Sequence, residues 1–241
     1  KIPILLTWPV LDMIPSDNPY VVGAFGTPGT RYANYTLQNS DFILSIGARL
    51  DTREAGSPYS EFGRGAKKII VDIDEAELNK LKKFGMEGVD LLINADAGEF
   101  IKTLLGANYK KPDISDWLKR IVNWRLRYPI CDPSYFEEQE LNPYVFVKTL
   151  SDFSLKNEVY VTDTGCALAY MCQAFQFKEG QRLFHAFNTT PMGYALPAAI
   201  GVSFAREKGQ VTCITGDGGF QMNIQEMATV IRHNLPIKIF L

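Results

Sequence analysis

Between Val211 and Glu226 the chain passes from a short apolar run into an acidic turn flanked by glycines, and then into a helical pattern. Val211 to Thr215 is short, apolar and rich in β-branched residues, which predicts a strand. Gly216, Gly218 and Gly219 remove side chains, so that backbone N–H groups can approach a ligand closely. Asp217 is the one charge among them. Asn223 followed three residues later by Glu226 predicts a helix N-terminus with a reciprocal capping box, and a helix N-terminus attracts phosphate. That helix is expected to run through Ile224, Met227, Ala228, Val230 and Ile231. Mg²⁺ takes oxygen ligands, commonly one or two carboxylates plus the oxygens of bound phosphates. Asp217 could supply such a carboxylate, but an ordinary glycine turn with a solvated Asp explains the same four residues, so context has to decide.

Similar strand-to-helix alternation extends along the chain. Apolar runs at Ile4 to Thr7, Phe42 to Ile46, Lys68 to Ile73 and Leu91 to Ile93, with a helix from about Ala97 to Leu105, predict a parallel sheet covered by helices. Gly23 to Thr30 reads as a flexible segment able to bring backbone close to a ligand, without the dinucleotide-binding GxGxxG fingerprint. An amphipathic stretch with Trp117, Leu118, Ile121, Val122 and Trp124 lies between prolines, which reads as a linker containing a helix. From Pro143 a second α/β pattern begins: a helix at Tyr144 to Ser151, a strand at Val159 to Thr162, and a small-residue helix from Tyr194 to Arg206. In that helix Ala195, Ala198, Ala199 and Gly201 are expected to permit close packing on a sheet. A final strand is expected at Ile237 to Leu241. The fold class is therefore α/β, with two parallel-sheet α/β domains, each a partial or near-complete doubly wound layer, joined by a linker with a helix.

Composition narrows the partners. A chain of 241 residues, 46% hydrophobic and with net charge −2, can build one large or two ordinary domains and carries no basic excess for nucleic acid. It has no apolar run of the roughly 20 residues needed to span a bilayer, and its start lacks the layout of a signal peptide. A cytoplasmic protein is expected, with Cys131, Cys166, Cys172 and Cys213 as free thiols because they form no CxxC pair. His185 and His233 are too isolated for a histidine metal site. Asn34 and Asn188 begin glycosylation-like triplets that read as chance. Lys1 in place of an initiating Met suggests a fragment.

Three segments together resemble one family: Pro191-Met-Gly-Tyr-Ala-Leu-Pro-Ala-Ala-Ile-Gly201, the Gly216-Asp-Gly-Gly-Phe220 turn, and Gly29 to Asn34 together with Gly47 to Arg53. They resemble the thiamine diphosphate-dependent enzymes, and within these the acetolactate synthase-like branch. The resemblance implies that residues 1–110 form the middle domain without its first strand and helix. Residues 111–142 would be the linker, and 143–241 the first part of the diphosphate-binding domain. It implies thiamine diphosphate and Mg²⁺ as cofactors, with Asp217 as a metal ligand and a second ligand, an Asn, expected beyond Leu241. Gly216, Gly218 and Gly219 would face the diphosphate. The activating Glu of the family would lie before Lys1, so this stretch alone is expected to be catalytically incomplete.

By the same resemblance, Met192 corresponds to the bulky side chain that holds the cofactor bent, with Gly193 beside it. Thr190 matches a position whose backbone carbonyl accepts from the aminopyrimidine. Gly165 and Cys166 fall at a strand-to-helix turn touching the diphosphate, where acetolactate synthases often carry Gly-Gln-His. Cys166 and Ala167 depart from that pattern, which argues against copying substrate specificity directly. Gly219 stands where Ser is usual. Arg49 and Arg53 match arginines that border a flavin or the substrate channel, and equally read as solvated or paired with Asp51 and Glu54. Asp72 and Asp74 suit either an adenine nucleotide or a helix cap, which leaves FAD open. The implied activity is a carboligase acting on 2-oxo acids; the alternatives are a 2-oxo acid decarboxylase or oxidase and, in another class, a non-catalytic binding or assembly module. A homodimer or homotetramer is implied, since family members place the active site between subunits.

Overall fold

A computed structural model describes residues 2–108 and 112–241; the expected domain boundary at residue 110 and the start of the expected linker at 111 lie outside them. The chain divides into two compact units, one holding the residues up to Pro9 with Val22–Pro129, the other Val10–Val21 with Ile130–Leu241.

A two-stranded sheet pairs β1 (Ile4–Leu6) with β2 (Val21–Ala24), and all of these residues but Val21 belong to the first unit. The segment after β2 is a locked turn rather than the flexible one expected. Gly26 N donates to Asn34 Oδ1 (2.8 Å), and Asn34 Nδ2 donates back to Gly26 O (3.0 Å). A Cβ at Gly26, whose φ is +86°, would stand 2.3 Å from the Arg53 carbonyl oxygen, so only glycine fits. Thr30 caps α1 (Arg31–Gln38), its Oγ1 accepting from Ala33 N at 3.2 Å.

There follow β3 (Phe42–Ile46), α2 (Thr52–Ala55), β4 (Lys67–Asp72), α3 (Glu75–Lys83), β5 (Val89–Asn94), α4 (Ala97–Gly106) and α5 (Ser115–Arg127). The three strands are parallel in the order β3-β4-β5. Helix α5 is the amphipathic stretch that reads in sequence as a linker helix, and it packs on α1: Arg125 lies 5.3 Å over the Tyr32 ring and Trp124 packs 5.8 Å from Tyr35. The segment expected to be a linker is therefore divided between the two units.

Lys68, at the start of β4, is fully buried and donates from Nζ to the carbonyls of Gly63 (2.8 Å), Ala66 (3.0 Å) and Glu87 (2.8 Å). A buried ammonium is tolerable when each of its three donors has an acceptor.

The second unit contains α6 (Pro143–Phe153), β6 (Val159–Thr162), α7 (Cys166–Ala174), β7 (Arg182–Phe184), α8 (Ala195–Ala205), β8 (Val211–Ile214), α9 (Asp217–Met222), α10 (Met227–His233) and β9 (Ile237–Phe240). Its four strands are parallel in the order β7-β6-β8-β9. Strands β6 and β8 are buried at every residue, as apolar strands covered on both faces must be. Helix α8 sets Ala195 and Ala199, both fully buried, against Val161, Val211 and Cys213. Gly201 plays no part in that close approach: it is exposed and nothing lies within 4 Å of where its Cβ would stand. Residues 10–21 join this unit through Asp12, which pairs with Arg182 at 2.9 Å and accepts from Leu183 N at 2.8 Å.

The helix read from Asn223 onward is also different. Helix α9 already begins at Asp217, Asn223 terminates it with φ −133°, and a single 3₁₀ turn at Ile224–Glu226 precedes α10. No reciprocal capping box forms. Asn223 Nδ2 donates instead to Gly193 O at 2.7 Å, and the Glu226 carboxylate accepts from Thr229 Oγ1 at 3.2 Å.

Candidate active site

Strand order places a crevice. From β6 the chain runs outward to β7 on one side, then returns to β8 on the other side of β6, so the loops leaving β6 and β8 diverge. In open parallel sheets, ligands bind outside the carboxyl ends of the strands at such a reversal. Thr162 and Ile214 are partners at the ends of these two strands, and the residues that follow them are Asp163-Thr-Gly165 and Thr215-Gly-Asp217. The sequence-predicted turn therefore lies at the switch point of the sheet.

Gly165 (φ +80°) and Gly216 line this edge, and for both there is nothing within 4 Å of an added Cβ. The space a side chain would fill is left for something else. Asp217 opens α9 and is exposed, while Gly219 is buried. Cys166 is the exposed first residue of α7. By contrast, burial pushes the thiols of Cys172 and Cys213 up to about 12, which keeps them protonated and unreactive.

A second loop closes on the glycine turn. Met192, exposed, has its Cε 3.0 Å from where a Gly218 Cβ would stand. Gly193 has φ +82°, and a Cβ there would meet Asn223 Nδ2 at 2.8 Å and Met222 Cβ at 3.0 Å. Thr190 takes a left-handed conformation (φ +50°) and its N–H donates to Ala186 O at 2.8 Å, which turns the chain toward Met192.

What holds the loops together is Asp163, a residue that no sequence motif singles out. Its carboxylate is 2% exposed and accepts from Thr164 N (2.8 Å), Gly193 N (3.0 Å), Ala195 N (3.4 Å) and Thr215 Oγ1 (3.2 Å). A Cβ at position 219 would come within 2.7 Å of Asp163 Oδ2. Glycine at 219 fits this packing. The structure thus brings Gly165, Cys166, Met192, Gly193, Gly216, Asp217, Gly218 and Gly219 to one end of one sheet.

Arg49, Arg53 and Asp72 belong to the first unit: Arg49 lies in the turn after β3, Arg53 within α2, and Asp72 ends β4. Arg49 N donates to Asp72 Oδ2 (3.2 Å) and Asp74 N to Oδ1 (2.9 Å), so Asp72, 9% exposed, ties two turns together. Asp74 is the cap of α3. The Arg49 guanidinium pairs with Glu77 at 3.2 Å rather than with Asp51 or Glu54. Asp51 caps α2. Glu54 is buried, and burial, reinforced by Asp51, pushes its carboxyl up to about 8.

Among the described residues no group of three or more His, Cys, Asp or Glu side chains could hold a metal, and no helix is long and apolar enough to cross a membrane. A metal at Asp217 would take its remaining oxygens from elsewhere, which suits Mg²⁺ on phosphate.

Two family models match this chain. Residues 1–104 match the central domain of thiamine pyrophosphate enzymes, and residues 163–241 match their C-terminal TPP binding domain. The chain belongs to the thiamine pyrophosphate enzyme family. Relatives in this family include the acetolactate synthase large subunit of Cyanidium caldarium, 34% identical over 247 residues, covering 100% of this chain and 40% of the relative. The probable acetolactate synthase large subunit of Methanocaldococcus jannaschii is 34% identical over 248 residues, 99% of this chain and 40% of its own length. Isozyme 1 of Escherichia coli is 32% identical over 246 residues, 100% and 41% respectively. The chain thus spans about 40% of the length of these relatives.

Proposed function

We propose that this chain is part of a thiamine diphosphate- and Mg²⁺-dependent carboligase acting on 2-oxo acids in the manner of acetolactate synthase. The observation that carries the reading is the placement of Asp217, an exposed carboxylate between glycines, at the switch point of a parallel sheet with Met192 beside it. The names of the relatives supply the reaction class.

When bound, thiamine diphosphate supplies the electron sink that lets a 2-oxo acid lose CO₂ and join a second carbonyl compound. The chain's own residues bind and orient. Asp217 would offer a carboxylate oxygen to Mg²⁺, and Gly216 and Gly218, which are not buried, would let the diphosphate approach the backbone, with the buried Gly219 packed behind them on Asp163. Met192 bears on the glycine turn and is placed to set the cofactor's shape. Cys166 and Ala167 open α7 at the β6 end of the crevice, and they bring less hydrogen-bonding capacity there than the Gln and His that the resemblance sets at this turn. That departure supports a second reading, a 2-oxo acid decarboxylase or oxidase on the same scaffold.

In the first unit, FAD would meet the turns around Arg49 and Arg53; both oxygens of Asp72 already accept backbone amides, which favours a structural role for that residue. The proposed assembly is a homodimer or homotetramer, and the proposed location the cytoplasm.

The test is an assay of the full-length protein with thiamine diphosphate, Mg²⁺ and pyruvate, following both CO₂ and acetolactate. Acetolactate formation that is lost in Asp217→Ala is expected. CO₂ without a carbon–carbon product would select the decarboxylase, and no turnover of any 2-oxo acid would reject both. Visible absorbance of the purified protein tests FAD.

A further inference from the structure

Asp163 has no role in the assignment above, yet three separate loops depend on it. Its donors come from its own turn (Thr164), from the Met192 loop and the start of α8 (Gly193, Ala195), and from the end of β8 (Thr215). Gly193 N reaches both carboxylate oxygens, at 3.2 and 3.0 Å. A buried carboxylate with this many donors is compensated and rigid; a neutral substitute is not.

We propose that Asp163 is the positioning residue of the cofactor site, fixing the Met192–Gly193 turn against the glycine turn so that the two halves of the diphosphate cradle are preformed. The inference rests on the thiamine diphosphate reading for its ligand, and on the hydrogen bonds alone for the clamp. Its chemistry has two parts. The carboxylate presents only acceptors, and three of its partners are backbone amides that can only donate, with amides on both of its oxygens, so Asp163→Asn turns an amide N–H₂ toward a backbone N–H and loses at least one bond. Gly219 completes the fit, because a Cβ there would lie 2.7 Å from Asp163 Oδ2 and 3.0 Å from Thr215 Oγ1. A side chain at 219 and the carboxylate at 163 compete for one space.

The experiment uses the full-length protein, unaltered and as Asp163→Asn, with two readouts: amide hydrogen exchange across residues 188–196, and the Kd for thiamine diphosphate with Mg²⁺ by calorimetry. Asp163→Asn is expected to speed exchange at Gly193 and Ala195 by about tenfold or more, and to raise the Kd by about tenfold to a hundredfold. Turnover at saturating cofactor should fall by a smaller factor than the Kd rises, since the clamp preforms the site and does not touch the reacting atoms.

A lower melting temperature with unchanged Kd would reduce Asp163 to a structural residue and overturn the proposal. Exchange that stays slow in the variant would remove the clamp itself. Failure of the unaltered protein to bind thiamine diphosphate would instead remove the cofactor reading, and the affinity claim with it. If Asp163→Asn does not fold, Thr215→Val takes away one donor and leaves the carboxylate in place. A rise in Kd of about threefold is then expected, and no rise would overturn the proposal.

Discussion

Lys68 and Asp163 are both buried charges satisfied almost wholly by backbone, one a cation on three carbonyls and the other an anion on three amides and a hydroxyl. They differ in which end of a strand they occupy. Lys68 sits at the start of β4, where it staples the chain before Lys67 to the turn before β5. Asp163 sits just past the end of β6, at the switch point, and its partners are the loops proposed to hold the cofactor. Burial and satisfaction alone therefore do not mark a functional residue. In open parallel sheets ligands bind outside the carboxyl ends of the strands, so the same device holds structure at one end and, as proposed, a ligand site at the other.

The comparison is broken most readily at Lys68. Lys68→Met keeps the apolar stem and strands three carbonyls, at a cost of about 3–5 kcal/mol in chemical denaturation, with thiamine diphosphate affinity unchanged. If affinity fell in step with stability, the division between the two edges would be wrong. Gly193→Ala tests the other edge. A left-handed non-glycine residue that also meets Asn223 and Met222 should cost about 2 kcal/mol and weaken cofactor binding together with stability.

Glu54 is an intermediate case, a buried acid less well supplied with donors than Asp163. Its carboxyl, raised to about 8 by burial and by Asp51, keeps its proton in the folded state after the unfolded chain has lost it. The folded state therefore binds more protons between the ordinary value near 4.5 and about 8, and stability contributed by this group falls as pH rises through that window. Denaturation midpoints should show a decline on the order of 2 kcal/mol across it, and Glu54→Gln should flatten the decline. An unchanged slope in Glu54→Gln would assign it to other groups. The smallest effect is expected for Asn223→Ala, which removes the 2.7 Å bond to Gly193 O and should cost about 1 kcal/mol, with faster exchange in the Met192 loop.

These residues also show where sequence reading stops. Strands at Phe42–Ile46 and Val159–Thr162 were plain because β-branched and aliphatic residues cluster there over the length of a buried strand. The glycine turn was plain because its residue types are unusual. Strand β2 was hidden by Gly23 and the glycines after it, and β7 by having only three residues, one of them charged. Asn223 and Glu226 satisfy a local capping rule, yet a carbonyl 30 residues away claims the Asn side chain and the rule yields to it. Asp163 offered only the sign of a turn. An Asp at a strand end reads as a turn former, and its distant donors lie 30, 32 and 52 residues further along the chain. The candidate site was half legible because glycines announce themselves, whereas the proposed clamp made of backbone amides carries no residue signature.

The order of β7-β6-β8-β9 also has a kinetic consequence. Strands β6 and β8 are neighbours only after the chain has gone out to β7 and come back, so their ladder closes a long loop, a slow event in folding. Asp163 can shed its water without penalty only once Gly193, Ala195 and Thr215 have arrived. During refolding, protection at those amides should appear after protection within the helices, which would make the proposed cofactor cradle a late-assembling element of its domain.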